Sequence, residues 1–185
     1  YADECEDFVI KNCTFENLNA DDRGGAIWVG GSIKDDDNGN EFTELYIYNC
    51  KFINNNCGNY GGAIYSKMAE LHVYDTEFKG NYSDWDGGAI YLTAGDLENG
   101  STPSYFYRCT FDGNRAGEGG GAIFCYSNYW LLHCYGKIRF KSCATNDGFK
   151  PSTYSSFWIL VFKRIINETN RGCYFMCFNG LTSFF

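Results

Sequence analysis

One pattern recurs four times in this chain and limits what it can become. Phe15 is followed by Gly24-Gly25-Ala26-Ile27-Trp28, Phe52 by Gly61-Gly62-Ala63-Ile64-Tyr65, Phe78 by Gly87-Gly88-Ala89-Ile90-Tyr91, and Phe111 by Gly120-Gly121-Ala122-Ile123-Phe124. In every copy the Phe precedes the first Gly by nine residues, whereas successive copies are separated by 37, 26 and 33 residues. A fixed internal spacing with variable joins is the mark of a solenoid, in which each repeat is one coil that buries its apolar edge only against its neighbours.

Each repeat Phe is preceded by a short apolar alternation: Phe8 and Ile10, Leu45 and Ile47, Leu71 and Val73. This reads as a period-two strand with one buried face. The inward phase then slips by one residue, because the next small side chain is Cys13, Cys50, Thr76 or Cys109, two before the Phe. A bend belongs there. Asn12, Asn49 and Asp75 stand at that point in the first three copies, and these residue types tolerate a left-handed backbone. The expected coil has three sides: the alternating strand, a strand carrying Cys and Phe, and, after Gly-Gly, a strand carrying Ala-Ile-aromatic. Phe15, Phe52, Phe78 and Phe111 should stack inside, as should Ile27, Ile64, Ile90 and Ile123, with Asn55, Asn81 and Asn114 in the turn after Phe and Gly25, Gly62, Gly88 and Gly121 at a close approach. The insertions fall in the loops Gly30–Phe42 and Thr93–Ser104. After Phe124 the pattern decays. Phe140 has Cys143 at the Asn position, and Phe162 is followed by Gly172-Cys173-Tyr174-Phe175 on the Gly-Ala-Ile-aromatic register. The reading is one domain over 1–185, with regular coils over about 8–125 and degraded capping coils over about 126–185, in a chain expected to be a fragment of a longer one.

The paired motif Phe-x-x-Asn and Gly-Gly-Ala-Ile resembles the repeats of the polymorphic membrane proteins, best known from chlamydial surface autotransporters. That resemblance implies a right-handed parallel β-helix of the pectate-lyase-like kind, all-β, displayed outside the cell and often adhesive. It spans Phe8 to Cys125, with Leu18 in place of the motif Asn in the first copy.

Composition restricts the partners. A net charge of −8 disfavours nucleic acid and anionic membranes, no apolar run reaches membrane-spanning length, and ten Cys suit an oxidising compartment. The localisation expected is therefore extracellular or the cell surface. Cys13 and Cys50 share a register one coil apart, a separation a disulfide spans; Cys109, two coils from Cys50, should be an inward thiol.

Chemistry is sparsely written. Asp84 with Asp86, or Asp21 with Asp22, are the nearest carboxylate pairs for a glycosidase or lyase, yet each reads first as a solvated turn. His72 and His133 lack a nucleophile context, and His72 should face outward. Asp35, Asp36 and Asp37 open a run rich in oxygen ligands suited to Ca²⁺ but without the EF-hand order, and no Cys-x-x-Cys pair suggests zinc; no cofactor is expected. Trp28, Tyr65 and Tyr91 lie one residue past the Ile and must face outward, as an exposed ladder or one covered by loops. Sequons occur at Asn12, Asn81, Asn99 and Asn167, of which Asn99 and Asn167 are the glycosylation candidates, since Asn81 is needed in its turn. The function expected is a non-catalytic recognition module for a host or matrix protein or a glycan. The alternatives are a carbohydrate-active enzyme on the same fold and a passive extracellular spacer.

Overall fold

A computed structural model describes residues 2–3, 7–31, 34–36, 39–41, 43–93, 103–126, 132–145 and 172–173. Strands of successive coils lie in parallel register and build four long sheets. The tyrosine sheet comprises Asp7–Lys11, Thr43–Tyr48, Ala69–Tyr74, Ser104–Tyr107 and Leu132–Tyr135. The phenylalanine sheet comprises Thr14–Glu16, Lys51–Ile53, Glu77–Lys79, Thr110–Asp112 and Arg139–Lys141. A narrow sheet of two-residue strands runs through Asn19–Ala20, Asn56–Cys57, Tyr82–Ser83, Arg115–Ala116 and Ala144–Thr145. The isoleucine sheet holds Ala2–Asp3, Ile27–Gly30, Ile64–Lys67, Ile90–Thr93 and Ile123–Tyr126. Ile27, Ile64, Ile90 and Ile123 are direct neighbours on adjacent parallel strands, as the constant spacing requires.

The coil is four-stranded rather than three-sided. A left-handed residue two positions after the Phe divides the second side: Asn17, Asn54, Gly80, Gly113 and Ser142 all have φ between 51° and 65°. The expected bend before the Phe is present at Asn12, Asn49 and Asp75, with φ of 56°, 49° and 49°, and it continues at Arg108, a residue type that does not announce it. Its side chains tie coil to coil. Asn49 Nδ2 donates to Asn12 Oδ1 at 2.8 Å, and the Arg108 guanidinium grips Asp75 through two 2.6 Å bonds. In the fifth coil Gly136 takes this bend and one extra residue follows, so that Tyr135 lies beside Tyr107 but Arg139 beside Thr110.

Inside, the rings of Phe15, Phe52, Phe78, Phe111 and Phe140 stack face to face with centroids 4.8 to 4.9 Å apart. They join one apolar core from Ile10 to Ile138. Complete burial of each such ring contributes about 2–3 kcal/mol. Beside them the motif asparagines form an interior ladder. Asn81 Nδ2 donates to Phe52 O and Asn114 Oδ1, both at 2.9 Å, while its own Oδ1 accepts from the Asn55 backbone and side-chain amides at 3.0 Å. These buried amides satisfy the backbone of the turn, which no apolar side chain could do.

The two glycines of each repeat act differently. Gly61 adopts φ 72°, in the left-handed region. Gly62 does not; a Cβ there would collide with the carbonyl oxygens of Gly88 and Tyr82 in the next coil. At the C-terminal end one expectation is overturned. Gly172–Cys173 does not extend the isoleucine sheet but pairs antiparallel with Tyr135 and Cys134 on the tyrosine sheet. Residues 146–171 of the proposed sixth coil lie outside the described residues, as do Asp37, Asn99, Asn167 and much of the two long loops; Asp35 and Asp36 belong to an antiparallel hairpin with Gly39–Glu41.

Candidate functional site

Two outward faces carry aromatic ladders. On the isoleucine sheet the residue after each Ile points away from the core, and Trp28, Tyr65, Tyr91 and Phe124 stack with centroids 6.2, 5.4 and 5.1 Å apart. This ladder is covered. Tyr65, Tyr91 and Phe124 are only 5%, 7% and 5% exposed, and together they form a second apolar cluster against which Trp28 and Tyr60 pack. The cover comes from the turn before Gly-Gly, where Arg23, Tyr60, Asp86 and Gly119 succeed one another in register. Tyr60 lies 4.7 Å from Tyr91, and the Arg23 guanidinium sits 5.1 Å from the Tyr65 ring and 5.9 Å from that of Tyr60.

The second face belongs to the tyrosine sheet, where sequence reasoning had singled out only His72 as outward. Leu45, Ile47, Leu71, Val73 and Phe106 point into the core, so the alternate residues point out. Tyr46, His72, Tyr105 and His133 make one column, with ring centroids 4.5, 4.8 and 4.9 Å apart. Tyr48, Tyr74, Tyr107 and Tyr135 make a second, at 4.7, 4.4 and 4.7 Å. All eight are half-buried. Because each inner ring spends both faces on its neighbours, what it offers to solvent is an edge with its polar atom, and these edges make a comb repeating once per coil. Burial raises the pKa of Tyr74 and Tyr105, so their hydroxyls stay protonated donors, and burial lowers that of His133, which stays neutral. Glu44 and Glu70 flank the comb in register. His72 Nε2 stands 2.8 Å from Glu70 Oε1, and the Tyr46 hydroxyl donates to Glu44. Lys11 caps the second column, its Nζ 4.9 Å from the Tyr48 ring.

The acidic candidates separate. Asp21, Asp22 and Asp84 are exposed, while Asp86 is half-buried within the turn column. Its carboxyl is pushed up to about 7, first by burial and then by the charge of Glu118, with the Gly119 backbone N–H pulling the other way. Trp85, 47% exposed, packs edge-on to Tyr60 at 5.8 Å beside it. Among the described residues no group of three or more His, Cys, Asp or Glu converges as a metal site. No described helix is long and apolar enough to cross a membrane. The thiols of Cys57, Cys109 and Cys125 are pushed up to about 12 by burial, so they stay protonated and poorly nucleophilic. Cys109 is the inward, fully buried thiol its register called for.

A family model for the right-handed β-helix region matches residues 1–157. The chain belongs to that family, which also gives the parallel coils their hand. No curated protein and no solved structure matches the chain.

Proposed function

We propose that this protein is a secreted or surface-displayed recognition module of the polymorphic-membrane-protein repeat type, non-catalytic, that holds an extended glycan along the helix axis on its tyrosine sheet. The observation that carries this reading is the double column of eight half-buried rings. A row of hydroxyls and imidazoles repeating at one coil's rise suits a polymer whose own hydroxyls repeat along its length. Stacking of a sugar on a ring face is excluded within the columns because the faces are occupied, so recognition runs through hydrogen bonds to ring edges. The acidic flank of Glu44 and Glu70, with the net charge of −8, disfavours a polyuronate and favours a neutral or amine-bearing chain.

The reading is tested by electrophoresis through gels containing a neutral β-glucan, a chitosan or polygalacturonate. Retardation by one of the first two, lost in a Tyr74→Ala, Tyr107→Ala double variant that still melts cooperatively, is the expected result. A parent protein that no gel retards, or a variant retarded as strongly as the parent, overturns it.

Asp86 favours a second reading, a carbohydrate-active enzyme. A carboxyl held near neutrality beside a second acid and an exposed Trp has the properties of a general acid. Glycan turnover abolished by Asp86→Asn is the result that would select it.

A further inference from the structure

The first two coils carry two cysteines stacked at one register immediately before adjacent parallel strands, Cys13 and Cys50. We propose that Cys13 and Cys50 are a dithiol site that a small-molecule disulfide oxidises to a bond clamping the N-terminal coil onto the second. Thr14 pairs with Lys51, and the Lys51 N–H donates to Cys13 O at 2.9 Å, so Cys13 and Cys50 sit directly above one another. Their contact is already made: the Cys13 backbone N–H points at Cys50 Sγ, 3.4 Å away. Stacked residues of adjacent coils lie about 4.8 Å apart, within the Cα separations a disulfide spans. Cys13 is exposed and Cys50 buried. Thr76 fills the next position of the column, its Oγ1 accepting the Cys50 backbone N–H at 3.3 Å, so no second bridge can compete from Cys109.

The exposure difference sets the order of events. The Cys13 thiolate attacks one sulfur of the small disulfide, breaking its S–S bond and releasing one small thiolate, which takes up a proton. The Cys50 thiolate then attacks the Cys13 sulfur of the mixed disulfide, the protein bond forms, and the second small thiolate leaves and is protonated. Two protein thiols are oxidised and one small disulfide is reduced to two thiols. Burial raises the pKa of Cys50, so this second step accelerates as pH rises.

The latch sits in an open coil. Phe8, Val9 and Leu18 of the first coil are exposed, and Phe15 is only half-buried, whereas Phe52 and Phe78 are fully enclosed. A coil with so little enclosed apolar surface opens readily, and tying it to its neighbour restrains that opening.

The test incubates the reduced protein with oxidised glutathione, quenches with acid and maps peptides without reduction, with amide exchange of residues 8–20 followed in parallel. The expected product joins Cys13 to Cys50, slows exchange in the first coil and raises Tm by roughly 5 °C or more. In Cys50→Thr, which repeats the side chain already tolerated at Thr76, a stable glutathione adduct should accumulate on Cys13 instead. A parent protein that also stops at the Cys13 adduct, or that joins Cys13 to any other cysteine, overturns the proposal.

Discussion

The isoleucine and tyrosine sheets present ladders of similar aromatic content, built at the same coil rise, and only one of them meets solvent. On the isoleucine sheet Tyr65, Tyr91 and Phe124 are almost wholly buried, because the turn column of Arg23, Tyr60 and Asp86 folds over them. On the tyrosine sheet Tyr48, Tyr74, Tyr107 and Tyr135 are half-buried by one another. The same residue type therefore acts as a small second core on one face and as a surface on the other. What a strand displays is decided by what the neighbouring turn does, not by the strand.

The hardest blow to this arrangement is Gly62→Val. Its Cβ would strike the carbonyl oxygens of Gly88 and Tyr82 in the next coil, forcing the two coils apart and with them both ladders. We expect a loss of more than about 4 kcal/mol, read as insoluble protein or a collapsed urea midpoint. A midpoint unchanged from the parent would show that the coils can part at no cost. Asn81→Leu comes next. Leu18 stands at that register only in the first coil, where it is exposed; in the enclosed third coil the Asn55 N–H and the Phe52 carbonyl lose their partner. About 2–4 kcal/mol should disappear from the denaturant-unfolding free energy.

The two faces are compared directly by Tyr65→Ala and Tyr74→Ala. The first empties part of the covered cluster and should cost about 3 kcal/mol; the second trims a half-exposed ring and should cost about 1 kcal/mol. If both shift the urea midpoint equally, the distinction between core and surface ladders fails. The one effect that depends on pH concerns Asp86, whose folded carboxyl is pushed up to about 7 against an ordinary 3.8. Below the ordinary value both states are protonated. Between the two values the folded state keeps a proton that the unfolded state has lost, so stability falls as pH rises from about 4 to about 7 and then levels. Asp86→Asn should flatten that slope and gain on the order of 1–2 kcal/mol at pH 8, after discounting for its partial exposure. Calorimetry at pH 4.5 and pH 8 checks it, and a slope that survives the substitution assigns it to another group.

Much of this was present in the sequence. The spacing of nine residues from Phe to Gly-Gly gives the parallel stack and the Phe and Ile columns, since residues repeated at constant internal spacing must superpose when coils do. The left-handed bends at Asn12, Asn49 and Asp75 were equally legible, because few residue types accept that backbone. Even the comb was written there: Tyr46 and Tyr48, His72 and Tyr74, Tyr105 and Tyr107 stand six and four residues before their Phe. Periodicity identifies which residues face outward, but outward does not mean exposed. That Trp28, Tyr65 and Tyr91 lie under a turn, that Arg108 accepts a left-handed backbone its neighbours impose, and that Gly172–Cys173 turns back antiparallel were decided by contacts between segments distant in the chain. Local pattern fixes direction and register; burial depends on what packs above, and only the tertiary structure supplies that.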